Sequence, residues 1–528
     1  MTTHRAADQS DRFPIADWQG SAAAAFESAG LAPPDRQQIL SEALHVGDNL
    51  LPLLVALWDN ESATGSPGET PAWLRRQQAD GAALTVGFPG SQQAGVQNWL
   101  GPRLAWWPQG IPRGRTVGLA SSRLGRPLDE KQAWFAMLRA ACSRTDAEQD
   151  ILVTAAATAT SRFVVRAADL FERRLLCIEA SSNDALPLDA WLSSLRSSVR
   201  AGFDRRKSRV LISPQLESRR DVRDAPPEAP VRDQALIALA QQLLVFHVRK
   251  RGHVMELLQR RLANGNWPAA SVYVALSDQL IDRSSAATLM DAGAVGWLVP
   301  DGPRRTKGKP CRLSSISATA GASSNRISIP AADPWEYLTH CTRSAIGPWP
   351  DQDEDDYLDE LILDRPEADH SAAAALERIL REQCLAASEK GIRGGSAMVS
   401  FTAVPLAELN GLRIFRPHRG RWDFEPYGIC IRKDWLVGKG ARSVCYGTND
   451  MWSSLAPEDQ PFFQRHQSVS RRTGNTIDWT VEREWRTPGS LDLSALGVDD
   501  GFVFVPKEED AARIAPLSRW PVVVVGAW

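Results

Sequence analysis

The chain has 528 residues, with 61 Lys or Arg against 63 Asp or Glu and a formal net charge of −2. Hydrophobic residues at 43% and charged residues at 23% are ordinary globular usage, which excludes a wholly disordered chain and a fibrous repeat. A global basic field for nucleic acid is absent, so only a local patch can serve that purpose, and no run of about 18 apolar residues offers a spanning helix.

Length alone suggests about three or four domains. Residues 1–18 carry His4, Arg5, Asp8, Asp11 and Arg12 without an apolar core, so no secretory signal is expected. The seven cysteines, at 142, 177, 311, 341, 384, 430 and 445, are scattered and form no CxxC pair. That pattern predicts reduced thiols, a cytoplasmic location, and neither a disulfide framework nor a zinc site. Residues 1–110 read as a mostly helical N-terminal region, from helical apolar spacing at 22–26 and 39–57, broken by the Gly/Pro-rich stretch 64–71. Trp99, Trp106 and Trp107 are expected to be packing anchors.

Residues 111–302 alternate short apolar runs with amphipathic stretches. Strands are predicted at 116–120, 150–154, 174–178, 209–213, 243–248 and 271–276, with helices at 129–142, 161–171, 232–240 and 252–262. Strands apolar throughout and separated by helices imply a Rossmann-like parallel sheet covered on both faces, an α/β class. Residues 303–332 carry Arg304, Arg305, Lys307, Lys309 and Arg312 and then many serines, a basic Ser-rich linker. Residues 333–528 open on an apolar run, pass an acidic stretch at 351–360 without EF-hand spacing, continue as a helix over 371–388, and end in short β-like runs at 397–403, 412–415, 428–431, 442–446, 479–485, 501–505 and 522–525. Helix first and strands after predicts a compact α+β domain.

In an open parallel sheet, ligands sit beyond the carboxyl ends of the strands. Gly118, Ser121, Ser122 and Arg123 lie at the first such end, Thr154 at the second and Ser213 at the fourth. Arg232 and Asp233 open a later helix. Free N–H groups at a helix start suit a phosphate, although ordinary βα turns use the same small residues. His247, Arg249, Lys250, Arg251 and His253 cluster after a strand as a second basic group. The stretch 117–123, Val153-Thr154 before a Thr/Ser-rich helix start, and Arg232-Asp233 before Leu244-Val245-Phe246 resemble the SLOG superfamily, which includes the DprA and LOG families. The resemblance implies a nucleotide, a nucleotide-derived signal or single-stranded DNA as ligand, and sensing rather than catalysis. The Pro-Gly-Gly-x-Gly-Thr loop of the LOG enzymes is absent. Assembly into a homo-oligomer is a further expectation from the resemblance.

In the C-terminal part, His340-x-Thr342 followed by a helix resembles the opening of DarT-like and PARP-like ADP-ribosyltransferases. There the corresponding residues grip the ribose and amide of NAD. The order Phe401-Thr402-x-x-Pro405-Leu406, Tyr427-Gly428-Ile429, Val444-x-Tyr446 and Glu482-x-Glu484-Trp485-Arg486 resembles the AbiGi-type abortive-infection family. This implies NAD as a substrate, with Tyr427 stacking on nicotinamide. Arg419, in a basic and aromatic stretch, would hold the pyrophosphate or a nucleic-acid acceptor. Glycosidic cleavage develops oxocarbenium character that a fixed carboxylate stabilises. Residues i and i+2 of a strand share a face, so Glu484 and Glu482 are both expected in the cleft, Glu484 holding ribose. An exposed strand of alternating charge would give the same pattern. The expectation is therefore a nucleotide-sensing domain coupled to an NAD-using effector in bacterial defence or stress, acting on a protein or nucleic acid. The alternative is a non-catalytic nucleotide or single-stranded DNA binder with an antitoxin-like interaction domain.

Overall fold

The computed structural model describes residues 72–89, 99–101, 103–125, 131–180, 207–215, 229–298, 335–389, 392–416, 421–469 and 476–526, with residues 50, 51, 96, 128 and 191. The chain divides into two compact units. The first comprises Met1–Gly125, Lys131–Gly302 and Ile362–Asp364, the second Arg126–Glu130, Pro303–Leu361 and Arg365–Trp528. The expected linker at 303–332 lies outside the described residues.

The first unit is built on a nine-stranded sheet: β1 (Ala83–Val86), β2 (Leu104–Trp107), β3 (Arg115–Ala120), β4 (Asp150–Ala155), β5 (Leu175–Ala180), β6 (Lys207–Ile212), β7 (Gln242–Val245), β8 (Val272–Ala275) and β9 (Val295–Trp297). Their order is β1-β2-β6-β5-β4-β3-β7-β8-β9. The run from β6 to β9 is parallel, while β1 and β2 join antiparallel at one edge. Helices α1 (Ala72–Ala79), α2 (Gln132–Arg144), α3 (Ser161–Leu170), α4 (Val231–Leu239), α5 (His253–Ala263) and α6 (Arg283–Asp291) belong to this unit. All six residues of β4 are buried, as expected of a parallel strand covered on both faces. Helix α3 buries Phe163, Val164, Ala167 and Ala168, one stripe at helical spacing.

Within residues 1–110, read as mostly helical, 83–86 and 104–107 form two antiparallel strands at one end of the sheet. Each is only four residues long, and Leu-Ala-Trp-Trp is buried along its whole length, so no alternation marked it. Trp99, Trp106 and Trp107 are buried, Trp99 edge-on to Trp267 at 5.0 Å.

The second unit centres on a seven-stranded sheet with four two-stranded ribbons. Its strands are β10 (Tyr337–Cys341), β11 (Cys384–Leu385), β12 (Met398–Thr402), β13 (Ile414–Arg416), β14 (Arg421–Asp423), β15 (Gly428–Arg432), β16 (Arg442–Ser443), β17 (Cys445–Gly447), β18 (Phe463–Arg465), β19 (Gln467–Val469), β20 (Thr476–Asp478), β21 (Glu484–Pro488), β22 (Leu491–Asp492), β23 (Gly501–Val505) and β24 (Val522–Val524). The main sheet runs β16-β21-β12-β10-β15-β23-β24, antiparallel except for β23 beside β24. Helices α7 (Glu354–Leu363), α8 (Ala372–Glu382), α9 (Lys433–Gly438), α10 (Asn449–Ser454) and α11 (Glu508–Ile514) complete it; the last two residues of α7 fall in the first unit. Leu338, Val399, Phe401, Ile429, Ile431 and Val503 share a core with Leu376 and Leu380 of α8. Cys341, Cys430, Phe502 and Phe504 belong to a separate cluster with Leu406 and Leu409. The α/β and α+β architecture is thus present, and among the described residues no helix is long and apolar enough to cross a membrane.

Candidate functional site

In the first unit the parallel part of the sheet starts at β3, builds outward through β4, β5 and β6, and then returns to the other side of β3 as β7. The strand order reverses between β3 and β7, where doubly wound sheets open a crevice. The two strand-end loops are bonded to each other there. Phe246 N donates to Ala120 O at 3.0 Å and Ser122 N to His247 O at 2.7 Å. Arg249 N donates to Ser122 Oγ at 3.2 Å, and its Nη2 to Arg123 O at 2.7 Å. Trp134 Nε1 donates to Ser121 Oγ at 3.0 Å from below. Around this junction Arg123, Arg249, Lys250, Arg251 and His253 are exposed. Helix α5 begins at His253 after Gly252 with no side-chain cap, leaving its leading N–H groups available to an anion.

The remaining residues assigned to this ligand are placed elsewhere or serve the fold. Gly118 is inside β3, where a Cβ would stand 2.6 Å from Ala240 Cβ and 2.9 Å from Leu243 Cδ2, so glycine is required by packing. Thr154 is buried in β4 beside Cys177 of β5. Ser213 is fully buried; its Oγ donates to Pro214 O and accepts from Leu104 N, tying β6 to β2. All three are taken up by packing and hydrogen bonds within the sheet. Arg232 and Asp233 open α4, with 4.0 Å between guanidinium and carboxylate. Burial raises the Asp233 carboxyl above its usual range, against the opposing charges of Arg232 and His253. Asp233 therefore sits near the basic junction as its acidic counterpart.

In the second unit a cavity of about 70 Å³ is lined by Thr339, Cys341 and Arg343 of the β10 edge, Ser400, Phe401 and Thr402 of β12, and Asp423, Phe424, Trp479, Glu482 and Glu484. Typical small-ligand pockets hold roughly 300 Å³ or more, so one small polar group fits rather than a whole dinucleotide. Glu484 is fixed from several sides. Arg486, on the same face of β21, grips both carboxylate oxygens at 2.9 and 3.0 Å. Ser400 Oγ donates to Oε1 at 2.8 Å, and the backbone N–H of Glu484 donates to Tyr446 Oη at 2.8 Å. Arg486 is buried and also donates to Pro461 O, Phe463 O and Gln464 Oε1. The Cys341 thiol in the wall is pushed up to about 12 by burial, against the charge of Arg343, and offers no thiolate.

Both predicted carboxylates reach this cavity, but not as neighbours on one strand. Residues Thr480–Glu482 form a short 3-10 turn, Arg483 takes a left-handed conformation (φ 43°), and the strand starts only at Glu484. His340 and Tyr427 do not join them among the lining residues. His340 lies one residue off the Thr339 and Cys341 face, with its Nδ1 at 2.9 Å from Ser400 O and its ring edge-on to Phe401 at 5.7 Å. Burial lowers its pKa to about 4, which leaves a neutral imidazole whose Nδ1–H donates. Tyr427 donates to Asp510 of α11 at 3.1 Å and packs against the core. Thr342 is buried and donates to Ala372 O at the start of α8. The expected convergence of imidazole, phenol and carboxylate is thereby corrected: alternation along β10 turns His340 away from Glu484. Arg419 lies outside the described residues. Sequence reasoning gave Ser400 and Trp479 no role in this pocket, and named Tyr446, which bonds the Glu484 backbone, only within a motif. Arg486, named from the sequence only within its motif, is the buried partner of the Glu484 carboxylate.

No protein-family model matches the chain, and no curated protein matches it. Among solved structures, an X-ray structure of DNA processing protein A from Streptococcus pneumoniae covers 52% of this chain and 94% of that chain, at 11% identity and a TM-score of 0.28.

Proposed function

We propose that the chain binds a nucleotide or nucleotide-derived ligand through its phosphates in the strand-end crevice of the first unit, with the second unit acting as an interaction module. The observation that carries this is the bonded pair of loops at the strand reversal. They hold Arg123, Arg249, Lys250, Arg251 and His253 around an uncapped helix start. Cations and aligned N–H groups at such a point recognise phosphate by charge-assisted bonds. The test is a thermal-shift panel of mononucleotides, cyclic dinucleotides, ADP-ribose, NAD and a short single-stranded oligonucleotide. A ligand at a hundred times its Kd adds about 2.7 kcal/mol of apparent stability. The Lys250→Glu, Arg251→Glu double variant should lose that shift while keeping the ligand-free midpoint. No shift with any member of the panel would end this reading.

A second reading is favoured by one observation, the arrival of Glu482 and Glu484 in one cavity with Ser400. In it the second unit is an NAD-using ADP-ribosyltransferase or glycohydrolase, switched by the nucleotide-binding unit in a bacterial defence or stress response. Glu484 would stabilise positive charge developing on the ribose. It is second because His340 and Tyr427 are engaged elsewhere and the cavity is small. Labelled NAD, incubated with the chain and each ligand of the panel, should be consumed and should survive with Glu484→Gln.

A further inference from the structure

We propose that His370 and Glu360, in the second unit, form a one-proton switch that sets how closely helix α7 is drawn to the loop before α8. His370 is 1% exposed. Its ring stacks on Trp349 at 4.2 Å and lies tilted to Tyr357 of α7 at 5.1 Å. Its Nδ1 stands 3.0 Å from Gly347 O. A carbonyl only accepts, so Nδ1 carries the hydrogen and Nε2 of the neutral ring is a bare acceptor. Glu360 Oε2 faces that acceptor at 3.7 Å, beyond hydrogen-bond reach, and both atoms are buried without a hydrogen-bond partner among the described residues.

Two orphaned acceptors opposite each other are costly in a dry interior. A proton between them removes both costs at once and gives a charge-assisted bond of about 2.8 Å. Helix α7 presents Glu360 and the Tyr357 phenol to the ring, and the loop itself presents Asp369. The segment 345–349 contributes the Gly347 carbonyl and the Trp349 ring, and Arg378 of α8 lies 5.4 Å from the centre of that ring. Burial holds the imidazole below its ordinary value, against the raising influence of Gly347, Glu360 and Asp369. The folded chain therefore releases this proton more readily than the unfolded chain. Its contribution to stability is present above about pH 6.5 and lost as the pH falls through the folded value. The switch stands open near neutrality and closes on acidification. Ala345 N donates to His370 O at 2.9 Å and Thr342 Oγ1 to Ala372 O at 2.7 Å, so the loop drawn on closure is bonded on either side of Arg343 in the cavity wall.

The experiment labels the histidine Cε1 positions of the full chain with carbon-13 and follows their resonances by NMR from about pH 8 to pH 4.5. The His370 signal, displaced by the ring current of Trp349, is assigned by its change in Trp349→Leu and its absence from His370→Gln. It should titrate with a midpoint below about 6.5. In Glu360→Gln the counter-charge is gone, so the midpoint should fall by about one pH unit or more. The new amide N–H donates to Nε2 without a proton, so the urea midpoint of that variant at pH 7.5 should rise. A carboxylate that only filled space would leave the His370 titration unmoved. Three results would overturn the proposal: a His370 signal that does not titrate in this range, a Glu360→Gln chain that keeps the His370 midpoint, or a Glu360→Gln chain that loses stability at pH 7.5.

Discussion

Glu484 owes its position to Arg486, two places along its own strand and therefore on the same face. Arg486 is 1% exposed and bonds both carboxylate oxygens. Glu484→Gln removes the counter-charge and leaves a guanidinium buried against carbonyls and an amide. Breaking such a pair is expected to cost about 3 kcal/mol, read as a fall in the urea midpoint of the second unit. Ser400→Ala removes a single bond to the carboxylate and should cost about 1 kcal/mol. A loss of any activity in Glu484→Gln must accordingly be measured on folded protein. His340 makes a pH prediction at the same scale. Burial lowers its pKa from 6.5 to about 4, so between these values the unfolded chain binds the extra proton. This part of the stability is present above about pH 6.5 and lost as pH falls toward 4, with a slope of at most about 1.4 kcal/mol per pH unit. Denaturant titrations of His340→Phe should show a flatter pH dependence in that window; the same slope in both chains would refute the assignment.

Among the elements, two strands depend on the absence of a side chain. At Gly428 in β15 a Cβ would stand 2.1 Å from His340 O of β10 and 2.7 Å from the Phe504 ring of β23. At Gly118 in β3 the obstruction is the side chains of Ala240 and Leu243. The end of Leu243 can give way, Ala240 moves only with its backbone, and the paired carbonyl at Gly428 stands closer than either, so Gly428→Ala should destabilise more than Gly118→Ala, for which about 1–3 kcal/mol of overpacking is expected. Parallel unfolding curves would rank them, and the reverse order would contradict the account. The same positions show what sequence patterns convey. β3 through β8 were legible because parallel strands covered on both faces are short and continuously apolar. Gly118, Thr154 and Ser213 are engaged within the sheet, because small residues at strand ends serve tight packing as readily as phosphates. The Glu-x-Glu strand was legible only from Glu484 onward, since the left-handed turn at Arg483 has no local sequence mark.

Across the whole molecule, nearly balanced charge hides concentrated basic stretches, among them one in each unit. Their arginines and lysines are visible in the sequence, at 249–251 and 413–421. What composition could not give is that the strand reversal joins the first region to Arg123, more than 120 residues earlier along the chain. Nor could it give the pairing that leaves Phe415 and Trp422 in water. Burial pushes the Cys142 and Cys177 thiols up to about 12 and 11, so neither is a ready nucleophile. His340 and Tyr427 illustrate the remaining limit. Residue type and spacing identified them, but which side of a sheet they occupy is settled by neighbours sixty to eighty positions away.

One bond described above gives the first unit an internal gauge. The Trp134 indole is buried against Phe135, Phe163 and Phe246 and bonds the loop after β3 through its N–H on Ser121. Among 19 tryptophans, it is a chromophore wired to the loop proposed to meet the ligand. The difference in emission between the chain and its Trp134→Phe counterpart isolates the optical trace of an arriving guest.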